Sequence, residues 1–171
     1  MSTEAFFALG LMVGLMIAAW ALTRKARKSK HYDEMQQKIR ADGYRLGFFT
    51  TLLMMVVLIF LTELGISRYI SPAFGLLTVM MVGVTVFALY CIRHEAFLSV
   101  GDKGKSYVMV FALVTVCNGA VALMRLFEGE LLENGVVTLS SGAQLLMFAA
   151  FLPLLIALLI RQRQSGKEAE E

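Results

Sequence analysis

Charge is what this chain has least of: 17% of its 171 residues are Asp, Glu, Lys or Arg, against 58% hydrophobic. A soluble domain of this size needs polar residues over most of its surface, so the composition excludes an ordinary soluble globule. Histidine is almost as scarce. His31 and His94 are the only two, and His94-Glu95 opens like a zinc-protease motif. The second ligand of HExxH is missing, because Leu98 stands four residues on from His94. Two cysteines, Cys91 and Cys117, make no disulfide framework; they fall at different depths of their apolar segments and read as small buried hydrophobes. Neither a GxSxG elbow nor a glycine-rich phosphate loop occurs, and Gly101-Asp102-Lys103-Gly104-Lys105 has the spacing of a flexible turn. No catalytic residue, metal site or cofactor is therefore expected, and the chain is not expected to be an enzyme.

What the chain does have is apolar runs of membrane length. Five occur: Ala5 to Leu22, Leu46 to Ile66, Ala73 to Ile92, Tyr107 to Phe127 and Gly142 to Ile160. At ~1.5 Å per residue each crosses a hydrocarbon layer of ~30 Å as a helix, the form that satisfies its own backbone in lipid. The net charge of +3 does not point to nucleic acid, because the bases flank these runs instead of lining a soluble face. Eight Lys/Arg fall in 23–45, three in 93–106 and three in 161–171, whereas the intervening segments hold only Arg68 and Arg125. The positive-inside rule then predicts an all-α polytopic bundle of five spans, N-terminus outside and C-terminus cytoplasmic, forming a single membrane domain. The first run has its bases after it, not before, and so reads as an uncleaved anchor. The expected partner is a bilayer with an anionic inner leaflet, to which each nearby base adds about 1 kcal/mol.

Residues 29–42 lack Pro and Gly, and Tyr32, Met35 and Ile39 share one helical face. The expectation is a short interfacial helix on the inner leaflet that ends at Gly43, holding the chain to the membrane or offering a cytoplasmic docking face. The run Tyr32-Asp33-Glu34-Met35-Gln36, with Ile39-Arg40, Gly43-Tyr44 and Gly47-Phe48, resembles a signature of small uncharacterised multi-pass proteins of Gram-positive bacteria. Cys91-Ile92-Arg93-His94-Glu95-Ala96-Phe97 is similar to a second segment of that family. The chain departs from the pattern at Met35, Ala41, Glu95 and Phe97, where the family tends to have Arg, Gly, Asp and Tyr. The resemblance implies a multi-pass protein of a bacterial cytoplasmic membrane and no particular activity.

Polar groups at membrane depth are the remaining candidates. Glu63 and Arg125 both reach the outer boundary, where they snorkel to water, pair across helices, or leave Arg125 to Glu128. Asn118 is the most central, and an amide there is expected to bond to another helix. Gly10, Gly14 and Ala18 form a small-residue stripe for close packing against a neighbouring span or a second copy. Ser71-Pro72 marks a helix start, Pro153 a kink, Asn134-Gly135 a small hairpin, Ser140 or Ser141 a cap, and Gln162 onward a disordered tail. Packing motifs without a converging site predict a non-enzymatic accessory, regulatory or immunity-type component acting through helix contacts; the alternative is a subunit of a small oligomeric transporter or channel.

Overall fold

The structure, a computed structural model, describes residues 33–65, 68–98 and 105–168. The expected first span, with Gly10, Gly14 and Ala18, and the expected docking residue Tyr32 lie outside the described residues. Those described form four helices and no strand: α1 (Glu34–Glu63), α2 (Pro72–Arg93), α3 (Lys105–Glu128) and α4 (Leu139–Glu168). All four are long and apolar enough to cross a membrane.

α1 packs on α2, α2 on α4, and α4 on α3. Gly43 faces Cys91 and Gly75 faces Leu58, so α1 and α2 are antiparallel; Gly142 faces Phe74 and Arg161 reaches Ile92, so α2 and α4 are parallel. The centre of this arrangement is α2. A third of its apolar window is buried, against 6% for α1. One end of the bundle gathers the start of α1 and the ends of α2 and α4, with Arg40, Arg93 and Arg161; we call it the basic end. The other, with Glu63, Glu128, Glu130 and Glu133, is the acidic end. The tightest core lies near the basic end, where Ala88 and Ile92 of α2 meet Leu154 and Leu158 of α4.

The separate interfacial helix ending at Gly43 is replaced by one continuous α1. Asp33 starts it, its carboxylate accepting from the Glu34 amide at 2.7 Å. Glycine in a helix interior costs about 1 kcal/mol relative to alanine. That cost is offset because α2 comes too close for a side chain: a Cβ on Gly43 would lie 3.1–3.2 Å from side-chain atoms of Tyr90, Cys91 and Phe87. Gly47, one turn on, would place its Cβ 3.0 Å from the Gly83 carbonyl oxygen. Tyr44 stacks on Phe87 beside this contact, with ring centroids 4.3 Å apart. At ~1.5 Å per residue a helix of this length is about 45 Å long, some ten residues more than a bilayer needs.

Local signals place the other ends. Ser71 caps α2 with Pro72 in its first turn, accepting from the Phe74 amide at 3.3 Å. The cap of α4 is Thr138, not Ser140 or Ser141: its hydroxyl accepts from the Ser141 amide at 3.2 Å while the Ser141 hydroxyl accepts from the Thr138 amide at 3.0 Å. This is a reciprocal capping box with serine in the place usually held by Glu. Asn134 and Gly135 both have positive φ, 54° and 81°, the backbone of a type I′ turn. Glu133 and Val136 exchange hydrogen bonds across it at 3.0 and 3.1 Å, yet the pairing stops at one rung, so the expected hairpin is only a turn. Val137 then clips to the α1–α2 connection, donating to the Tyr69 carbonyl at 2.8 Å and accepting from the Ser71 amide at 2.9 Å. α4 runs as one helix through Pro153 and on to Glu168, past the point where a disordered tail was expected. Arg161 holds that extension to α2 by donating to the Ile92 carbonyl at 3.2 Å.

Candidate functional site

The apolar helices carry hydroxyl and amide groups that lipid cannot solvate, and each needs a partner. Thr50, Thr51, Thr62, Thr78 and Thr115 donate to the carbonyls of Leu46, Gly47, Leu58, Phe74 and Phe111, at 2.7–2.9 Å. Asn118 does the same: Nδ2 donates to the Val114 carbonyl at 2.8 Å, four residues back in α3, and not to another helix as expected. Beside it, Gly119 lets the Phe148 ring of α4 approach to where a Cβ would sit 2.8 Å away. An amide already bonded within its own helix adds little between helices, so Asn118→Leu is expected to change unfolding free energy by less than about 0.6 kcal/mol, the average for interhelical bonds. Steric-trap unfolding in bicelles measures this, and a loss above about 1.5 kcal/mol would refute it.

Glu63 and Arg125 do not converge. Glu63 is exposed at the end of α1, which packs on α2, whereas Arg125 faces α4 and donates to the Ser140 carbonyl. Neither residue takes part in the two ion pairs found among the described residues, Arg45–Asp42 and Arg161–Glu95, so the local Arg125–Glu128 pair is not formed either. Arg125 instead helps line an open cleft of about 410 Å³ at the acidic end, with Gly129, Glu130, Leu132, Glu133 and Ser140.

In that cleft the Ser140 hydroxyl donates to Glu133 at 2.8 Å. This bond and then one from Thr138, with a lesser contribution from the Arg125 charge, hold the Glu133 carboxyl below the usual carboxylate range against an opposing effect of desolvation. A depressed folded-state pKa contributes stability above the unfolded value near 4.5, and that contribution is lost as pH falls through the lower folded value. Melting curves between pH 6 and about 3 are therefore expected to show an acid-side drop that Glu133→Gln removes in part. Identical pH profiles for the two proteins would contradict the assignment.

The expected docking face at the start of α1 is split. Met35 is 71% exposed, but Ile39 is half-buried and shares with Gln36 and Arg40 the side turned toward α2. Sequence reasoning missed the residues that do meet here. Gln36 Nε2 donates to the carbonyls of Glu95 at 2.9 Å and Leu98 at 3.5 Å. The Glu95 carboxylate meets Arg161 Nη2 at 3.4 Å. Glu95 also has φ of +61°, the left-handed region. It closes α2 in a Schellman arrangement, with Glu95 N–H to Ile92 O at 3.3 Å and Ala96 N–H to Cys91 O at 2.9 Å. Thus the start of α1 and the end of α2 touch each other, through Gln36 and the turn at Glu95. The signal available was glutamine in the two polar helix ends, Gln36 and Gln162 among them; Gln144 sits half-buried inside α4 and its Oε1 has no partner.

At this end the Gln36 amide, the Arg161 guanidinium and the Glu95 carboxylate bind backbone carbonyls or one another. Among the described residues no group of three His, Cys, Asp or Glu could hold a metal. No protein-family model matches the chain, and neither a curated protein nor a solved structure matches it.

Proposed function

We propose that this chain is a five-span protein of a bacterial cytoplasmic membrane, N-terminus outside and C-terminus cytoplasmic, that acts through lateral helix contacts as a non-enzymatic accessory, regulatory or immunity-type component. The observation that carries this reading is the way six polar side chains in the apolar helices spend a hydrogen bond on their own helix rather than on a neighbouring one. A polar pathway needs groups that converge between helices, and each of these six donates within its own helix. The charge asymmetry supports the orientation, with fourteen Lys/Arg on the side assigned to the cytoplasm and two on the other. α1 supports the mode of action, since it presents a row of exposed apolar side chains, Phe48, Phe49, Leu53, Ile59 and Phe60.

Affinity purification in mild detergent, with mass spectrometry and light scattering, tests this. A membrane-protein partner in defined stoichiometry is the expected result. One observation favours a second reading, a subunit of an oligomeric transporter or channel: the half-buried Gln144 amide oxygen without a partner. A stable homo-oligomer with no partner, and solute flux in proteoliposomes abolished by Gln144→Leu, would replace the first reading with the second.

A further inference from the structure

Three helices end on a left-handed residue. α1 ends at Gly65 (φ 82°) and α3 at Gly129 (φ 74°), the residue type for which this conformation is free of strain. α2 ends at Glu95 (φ 61°), where a side chain resists the same geometry. What holds Glu95 there is a set of ties to two other helices. Its carboxylate takes Arg161 of α4, which also donates to the Ile92 carbonyl in the last turn of α2. Its carbonyl takes the Gln36 amide from the first turn of α1, 59 residues away in sequence.

We propose that Glu95 and Gln36 form a latch that keeps the first turns of α1 closed on the end of α2, and that its release lets this part of α1 swing about the Gly47–Gly83 contact. The latch is built to be released. Its ion pair is largely exposed at Glu95, at 74%, where water and salt weaken it. Gln36 Oε1 is buried without a partner, which offsets part of what the Nε2 bonds contribute. α1 is also the least buried helix and is packed on α2. Its other ties to α2 at the basic end include the Gly43 and Gly47 contacts and the Tyr44–Phe87 stack.

The fold supplies its own reporter. Cys91 is fully buried, and Gly43 of α1 lies over it, close enough that a Cβ there would be 3.2 Å from the sulfur. Lifting α1 uncovers the thiol. In the full chain carrying Cys117→Ser, in nanodiscs, Cys91 is expected to react slowly with a water-soluble maleimide. Gln36→Asn, too short to reach the turn, and Glu95→Ala, which removes the Arg161 partner but keeps the backbone strain, are each expected to speed labelling about fivefold or more, the factor for losing one net hydrogen bond of local opening. The double variant is expected to be no faster than the faster single variant, because both act on one latch. Met35→Ala, one residue away on the exposed face, is expected to label like the parent. Unchanged rates in both single variants, additive effects, or equal acceleration by Met35→Ala would overturn the proposal.

Discussion

Replacing Gly83 with alanine is expected to destabilise the protein by about 1–3 kcal/mol, the usual range for a group forced into a filled space. The new Cβ would sit 1.9 Å from Thr51 Oγ1, 3.1 Å from the Gly47 carbonyl oxygen and 3.2 Å from Thr51 Cβ. Neither neighbour yields cheaply. Thr51 is β-branched and stiff in a helix, and its hydroxyl is committed to the Gly47 carbonyl at 2.8 Å. The helices must therefore part, and the Tyr44–Phe87 stack beside the contact goes with them. Removing the Thr51 hydroxyl and methyl clears the shortest contact, and its hydrogen bond lies within α1, so Thr51→Ala alone is expected to cost under about 1 kcal/mol. The double variant Thr51→Ala with Gly83→Ala is expected to recover more than half of the loss. Steric trapping or reversible denaturation in mixed micelles gives all four free energies. Additive losses in this cycle would mean that Thr51 is not what Gly83 must avoid.

The same contact shows what a sequence does and does not disclose. The apolar runs for α1 to α4 are plain, because lipid dictates both composition and length. Ser71-Pro72 and Asn134-Gly135 are legible because each residue type answers a local backbone requirement that no neighbour needs to supply. Gly43 is different. Between a polar helical segment and an apolar one it reads as a helix stop, yet with Gly47 and Thr51 it forms a small-residue stripe on α1 that accepts α2. Only the position of α2 distinguishes the two roles. Asn118 shows the converse: its type predicts a partner across the interface, but the side chain donates to its own helix. Glu95 gave no warning, since nothing in a sequence marks a glutamate for positive φ. Its conformation follows from Gln36 and Arg161, at opposite ends of the chain.

Leu158→Ala is the second large effect, and its size separates two physical pictures of the core. Leu158 is 2% exposed and packs with Ala88, Ile92 and Leu154. In soluble proteins such a truncation removes about 3–5 kcal/mol, part from returning less apolar surface to water on unfolding and part from the cavity left behind. Where the unfolded reference state stays in lipid, the first contribution vanishes, because hydrocarbon is as good a medium for leucine as the core is. Only lost packing remains: a void on the order of 70 Å³ at ~24 cal/mol per Å³ gives about 2 kcal/mol. We expect that smaller value, measured by steric trapping in bicelles, with Leu159→Ala on the exposed neighbouring face costing under about 0.5 kcal/mol. A loss of about 4 kcal/mol at Leu158 would instead mean that this stretch of α4, three residues from Arg161, enters water when the bundle opens. The basic end would then lie above the hydrocarbon layer, and the latch at Glu95 would work in solvent rather than at the edge of lipid.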